Sequence, residues 1–212
     1  MLHTSRIEIS EPAVKHNFDF LRSICSDDVL ISHVVKGNAY GHGLEVYIPL
    51  AEKYGAKHFS VYSPDEAIKI QKASTGNCKI MIMGLLDRAQ TDWAIEHDME
   101  FFVFHKEGLM QAVDSARKQE KKARIHIELE TGMNRTGFDP EMIPEVMACL
   151  QRFHNHLHFC GLCTHFAGAE SIANYYRIKK QIINYKRLTK DFRNHGLIPD
   201  RFHVACSAAA MR

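Results

Sequence analysis

Seven short apolar runs, spaced by amphipathic stretches, constrain the fold of this chain more tightly than any other feature. They are Leu30–Val35, His58–Tyr62, Lys79–Met83, Glu100–Phe104, Arg124–Glu130, Phe159–Thr164 and Phe202–Cys206. Between them the spacing predicts helices at Gly43–Tyr54, Pro64–Ala73, Arg88–Glu96, Lys106–Glu120, Pro140–Phe153 and Asn174–Asn194. A further helix, Val14–Ile24, opens the chain after the start signal Glu11-Pro12. Strands alternating with helices build βαβ units and a parallel sheet. No long linker, low-complexity segment or internal repeat interrupts the series. Seven strands are one short of a (β/α)8 barrel of TIM type, which takes about 250 residues, and the chain has 212. A barrel missing one strand has an open seam of unpaired backbone groups. The expectation is an incomplete (β/α)8 barrel, with residues 1–212 forming the N-terminal barrel domain of a longer protein.

Composition narrows the function classes. A hydrophobic fraction of 45%, a charged fraction of 25% and a formal net charge of +2 are those of a soluble globular domain, with no argument for nucleic acid. The basic stretch from Arg117 to Arg124 reads as a solvated helix end. No apolar run approaches the ~18 residues of a membrane span, and the segment from Met1 to Glu8 lacks the apolar core of a signal peptide. A cytoplasmic location follows as an expectation. The six cysteines are then free thiols.

Barrels of this kind carry their chemistry at the C-terminal ends of the strands. The first strand closes Val34-Val35-Lys36 and continues Gly37-Asn38-Ala39-Tyr40-Gly41-His42-Gly43. A lysine buried there is costly unless it is paired or chemically used, and a desolvated amine can form a Schiff base. The glycines let the backbone approach a ligand, and the Tyr40 hydroxyl is offered to a phosphate. The plainer alternative is a lysine that snorkels. On the fifth strand His126, Glu128 and Glu130 share one face, and Ile125, Ile127 and Leu129 the other. Two carboxylates inside a barrel need a cation, and Arg135, between Gly132 and Gly137, is the natural partner. The alternative is a surface ion pair of little energy.

His165 ends the sixth strand, where an imidazole stacks on an aromatic cofactor, moves a proton, or simply completes a hydrogen bond. Cys206 and Ser207 end the seventh and lead into three alanines. That is a helix start, or a phosphate site made from a hydroxyl and backbone amides. Two patterns are decoys. Cys160 and Cys163 have Cys-x-x-Cys spacing but lie in an apolar strand without a second pair. His154, His156 and His158 would share a face if extended, at the barrel end that serves stability. No metal site is expected.

Together these segments resemble the alanine racemase family, pyridoxal-phosphate enzymes of fold type III, over essentially the whole chain. The family's lysine motif appears as Val35-Lys36-Gly37-Asn38-Ala39-Tyr40-Gly41-His42-Gly43, and its strand-five signature as Glu130-Thr131-Gly132-Met133-Asn134-Arg135-Thr136-Gly137. Thr164-His165-Phe166-Ala167 is intact, Cys206-Ser207-Ala208-Ala209 stands where the family has Asn-Ser-Ala-Ala, and Arg6-Ile7-Glu8-Ile9 with His16-Asn17 also fits.

The resemblance implies pyridoxal-phosphate-dependent racemisation of L- and D-alanine, supplying D-alanine for peptidoglycan, by a homodimer in the full-length protein. It makes Lys36 the cofactor's Schiff-base partner and the base on one face of the substrate. Tyr40 and Ser207 hold the phosphate, His165 packs on the pyridine ring, and Arg135 contacts the phenolic oxygen and the substrate carboxylate. The sequence departs from the family in three places. Glu128 stands where many members carry a carbamylated lysine, and offers Arg135 a permanent carboxylate. Cys206 replaces an asparagine beside the phosphate. The chain also ends before the eighth strand and its arginine, and before the β domain whose tyrosine is the opposite-face base. These residues alone are therefore expected to racemise alanine poorly. The alternatives are a single-domain pyridoxal-phosphate homeostasis protein without racemase activity, a racemase for another amino acid, and an inert fragment.

Overall fold

Local start signals set the first elements. In this computed structural model, which describes residues 5–76 and 78–211, the Ser10 hydroxyl accepts from Ala13 N–H at 3.4 Å and starts α1 (Glu11–Ser23). The first four residues of the N-terminal segment considered above as a leader lie outside the described ones. The chain forms two compact units, Met1–Gly84 and Leu85–Arg212.

The first unit continues with β1 (His33–Val34), the single turn α2 (Lys36–Tyr40), α3 (Leu44–Lys53), β2 (His58–Val61), α4 (Pro64–Ala73) and β3 (Lys79–Ile82). Its strands pair in parallel, with His33 opposite Phe59 and Phe59 opposite Ile80. Phe59, Val61, Ile80 and Ile82 are buried beneath Leu44, Ile48 and Ala51 of α3 and Ala67 and Ile70 of α4. Burial on both faces is why these strands read as continuous apolar runs rather than alternating ones. β1 is shorter than the predicted Leu30–Val35. Leu30 and Val34 are 44% and 42% exposed, so a longer ladder there would bury little. Ser32 meets β2 through its side chain instead, 2.8 Å from His58 Nδ1.

The second unit opens with a reciprocal cap. Gln90 N–H donates to Asp87 Oδ1 at 2.8 Å and Asp87 N–H to Gln90 Oε1 at 3.0 Å, which starts α5 (Arg88–Glu96). Then come β4 (Glu100–Val103), α6 (Lys106–Gln119), β5 (Ala123–Glu128), α7 (Ile143–Arg152), β6 (Leu157–Cys163), α8 (Tyr175–Asn194), β7 (Arg201–His203) and the short α9 (Ser207–Ala210). The helices expected to begin at Pro140 and Asn174 open through 3-10 turns, Pro140–Met142 and Ile172–Asn174. β4 to β7 pair in parallel in chain order. Phe101, Val103, Ile125, Ile127 and Leu162 line their core, covered by Leu109, Val113, Val146, Leu150, Leu188 and Phe192.

Several expectations change in this unit. β6 carries a bulge, because Ile125 faces Phe159 while His126 faces Gly161, leaving Cys160 as the extra residue. Gly161 is required there, since a Cβ would stand 2.1 Å from His126 Nδ1. His154 and His156 lie in the turn before β6 and do not share a strand face with His158. The strand predicted to run to Cys206 stops at His203, and Cys206 instead precedes α9, its C=O accepting from Ala210 N–H at 2.9 Å. Arg124 belongs to β5, not to a solvated helix end.

Seven parallel strands alternate with helices among the described residues, the order of an incomplete (β/α)8 barrel. Among the described residues no helix is long and apolar enough to cross a membrane.

Candidate active site

The turn after β1 has the most unusual backbone in the first unit. Gly37, Asn38, Ala39 and Tyr40 all have positive φ, at 63°, 55°, 54° and 53°. Left-handed helix costs an L-residue about 1–2 kcal/mol, so it occurs as single residues rather than runs. Glycine escapes that cost and asparagine tolerates it, but Ala39 and Tyr40 do not. Conformations of this kind persist where the surroundings over-determine them, and they cluster at functional sites. Here Val35 N–H donates to Ser60 C=O at 2.8 Å, and Asn38 Oδ1 accepts from Leu44 N–H at 3.0 Å at the start of α3. Glu66 accepts from Gly37 N–H at 2.6 Å and from Tyr62 N–H at 2.9 Å.

Lys36 stands at the head of this turn and is exposed, contrary to the expectation of a buried lysine. The physical reason is that Val35, 2% exposed, is the last core residue before the chain swings left-handed at Gly37. Tyr40 closes the turn, 65% exposed. Among the described residues the Lys36 amine and the Tyr40 hydroxyl make no hydrogen bond or ion pair within the protein.

In the second unit the end of β5 runs into the loop that carries Arg135. Phe138 N–H donates to Glu128 C=O at 2.8 Å and Glu130 N–H to Phe138 C=O at 3.0 Å, so the loop is pinched shut at its base. The two carboxylates of β5 part company here. Glu130 accepts from Gly132 N–H and, at 2.7 Å, from Asn134 N–H, so the loop's own amides occupy it. Glu128 is 4% exposed. Burial pushes its carboxyl above the usual range, against the Thr136 hydroxyl and the Arg135 charge, which pull it down. Contrary to the expectation of an ion pair, neither carboxylate lies within salt-bridge distance of Arg135 among the described residues, and the arginine acts on Glu128 only through its longer-range charge.

Sequence reasoning missed what holds this loop. Gln181 of α8 is fully buried. It accepts from Ala167 N–H at 2.9 Å and donates to His165 C=O at 2.8 Å. Asn184 donates to Thr131 C=O at 3.0 Å, and Arg177 to the Gly132 and Met133 carbonyls at 3.0 and 3.1 Å. Thr131 and Thr164 hydroxyls meet at 2.7 Å. Positions 177, 181 and 184 are spaced as one helix face, and that polar stripe inside an amphipathic helix was the available signal. His165 itself is half-buried, Cys206 is half-buried, and Ser207 is exposed at the start of α9.

The opposite ends of these strands hold a different cluster. Glu100, 1% exposed, accepts from Arg201 at 2.7 Å and Arg124 at 3.2 Å, and lies 3.0 Å from His126 Nε2. Glu100 with His126 and Cys160, and His158 with Cys160 and Asp200, have ligand-type atoms within 4.8 Å of one another. Two guanidinium groups already neutralise Glu100, and burial pushes the Cys160 thiol up to about 12. That chemistry suits a closed ion network better than a cation site.

A family model described as "Alanine racemase, N-terminal domain" matches residues 9–212. The chain belongs to that family. "Alanine racemase 1" of Caldanaerobacter subterraneus is 27% identical over 208 residues, 98% of this chain and 53% of the relative. The structure of alanine racemase from Clostridium difficile 630 superposes with a TM-score of 0.86 at 26% identity, covering 93% of this chain and 54% of that one. Histidine racemase from Leuconostoc mesenteroides subsp. sake superposes with a TM-score of 0.82 at 26% identity, covering 94% of this chain and 52% of its own. The chain spans about half the length of the curated alanine racemases it matches. The Lys36 segment and Thr164-His165-Phe166-Ala167 lie just past the ends of β1 and β6.

Proposed function

We propose that this chain is the pyridoxal-phosphate-binding part of an amino-acid racemase that interconverts L- and D-alanine, with Lys36 as the point of covalent attachment. The observation that carries this reading is the Lys36 amine. It stands two residues past the end of β1, heads a turn of costly backbone, and is engaged by no protein group among the described residues. The chemistry of the first unit suits the cofactor: an available primary amine at Lys36, with the exposed Tyr40 hydroxyl closing the same turn. Bound there, pyridoxal phosphate would supply an electron sink for the charge left when Cα loses its proton. Lys36 would hold the cofactor and move a proton on one face of the substrate. Tyr40 and Ser207 would hold the phosphate, His165 would support the pyridine ring, and Arg135 would serve the phenolic oxygen and the substrate carboxylate. The whole protein, on this reading, is a cytoplasmic homodimer that supplies D-alanine for the cell wall.

The test is borohydride reduction of the protein mixed with pyridoxal phosphate, followed by peptide mass mapping. A phosphopyridoxyl adduct on Lys36 is expected, and none at that peptide in Lys36→Ala. Labelling scattered over surface lysines would sink the reading. The likeness to a histidine racemase favours one second reading, a racemase for another amino acid. Optical rotation with alanine, serine, lysine and histidine separates the two.

Glu128 gives a second test, because on this reading its buried carboxylate, which feels the Arg135 charge, serves as that arginine's counter-charge. Glu128→Gln keeps the shape and removes the charge, so cofactor affinity is expected to fall about tenfold, as for loss of one charged hydrogen-bond partner. The wild-type carboxyl titrates above the ordinary glutamate range. As pH falls it therefore loses its charge earlier than an ordinary glutamate, and affinity should drop on the acid side in the wild type but stay flat in the variant. Equal affinities across pH would count against the role.

A further inference from the structure

We propose that Glu66 is the positioning residue for Lys36, acting through the backbone of the turn; the inference rests on the cofactor reading above. Gly37 N–H and the Lys36 carbonyl belong to one planar peptide unit. Whatever fixes Gly37 N–H therefore fixes the orientation of Lys36 at its C-terminal side, and with it the direction of the side chain. Most bonds of the turn cannot do this. Ala39 N–H to Val35 C=O, Gly41 N–H to Gly37 C=O and Gly43 N–H to Asn38 C=O all join parts of the same short segment. They move with it if it relaxes.

The Gly37 N–H to Glu66 Oε1 bond, at 2.6 Å, reaches an element 29 residues away. Glu66 lies in the first turn of α4, after Pro64, where a carboxylate is favoured by the helix N-terminus. Such a residue normally reaches back to the N-cap amide, here that of Ser63. Glu66 reaches one residue further, to Tyr62 N–H at 2.9 Å, and its other oxygen is left for Gly37. Tyr62 is itself fixed, since its C=O accepts from Gly84 N–H at 3.0 Å beyond β3. The carboxylate thus ties the strained turn to the ends of β2 and β3. Both bonds are charge-assisted, the stronger kind, which suits a turn that must hold Ala39 and Tyr40 against their backbone preference.

The experiment compares wild type with Glu66→Ala and Glu66→Gln, first without cofactor and then with pyridoxal phosphate. Without cofactor, hydrogen exchange at the Gly37 amide is expected to speed about tenfold in Glu66→Ala, while the amides of β2 and β3 keep their protection. With cofactor, the rate of borohydride-trapped adduct at Lys36 should fall about tenfold in Glu66→Ala. Glu66→Gln, which retains an acceptor oxygen, should recover part of both. A general loss of fold would instead expose β2 and β3 amides and would not be rescued by glutamine. Unchanged exchange at Gly37 overturns the proposal, and so does faster exchange with an unchanged adduct rate. If wild type forms no Lys36 adduct, the cofactor reading fails, and the exchange result alone decides whether Glu66 holds the turn.

Discussion

Glu100→Ala is expected to lower folding stability by about 3 kcal/mol, the lower end of what removing one partner of a buried ion network costs. The carboxylate is 1% exposed and is shared by Arg124 and His126 of β5 and Arg201 of β7. His126 in turn lies 2.9 Å from His203 Nε2 on β7. Removing the acid leaves two guanidinium groups facing each other with their counter-charge gone. Their side chains are 24% and 21% exposed, so water recovers part of the loss, which is why the low end of the range applies. Glu100→Gln keeps hydrogen-bond acceptance without the charge and should cost less. Urea unfolding at neutral pH measures both. A loss under about 1 kcal/mol for the alanine variant would show that the network is no more than a surface pair.

That cluster also shows where sequence reasoning reaches its limit. Glu100 and Arg124 were legible only as strand-start residues, and Arg124 as the tail of a basic helix end. Their pairing depends on β4 and β5 lying side by side in the same sheet, which no local pattern states. By contrast, α4 and α5 begin where expected, because Pro64 in the first turn and the Asp87–Gln90 capping box are start signals carried within a few residues. The same division holds at the candidate site. Lys36, Arg135, His165 and Ser207 stand at or just beyond the C-terminal ends of β1, β5, β6 and β7, as strand-end logic requires. The groups that hold them, Glu66 and Gln181, lie in helices far along the chain. The left-handed run from Gly37 to Tyr40 is signalled by glycines at its edges alone, since Ala39 and Tyr40 are residues that local preference keeps out of that conformation.

Gly137→Ala is expected to be the most damaging small change in the loop that carries Arg135. Gly137 has φ at +123°, and an added Cβ would lie 2.5 Å from Glu130 N and 2.7 Å from the Leu129 carbonyl carbon. Those are backbone atoms of β5's continuation, so no side chain can swing aside to make room. Relief requires moving Phe138 away from Leu129, which breaks the Phe138–Glu128 and Glu130–Phe138 bonds that close the loop. Strained φ and overpacking against backbone each cost about 1–3 kcal/mol, so a total of roughly 3 kcal/mol is expected. Gly196→Ala is the matched control. Its φ is also positive, at +73°, but nothing lies within 4 Å of the added Cβ, so only the backbone term remains, about 1 kcal/mol. The two variants together separate conformation from collision. Opening the loop base also releases the segment that carries Arg135, so on the proposed reading Gly137→Ala should lose cofactor affinity beyond what its lower stability explains, measured well below its melting temperature. Retained affinity with lowered stability would mean that the pinch at Phe138 supports the fold while Arg135 finds its position without it.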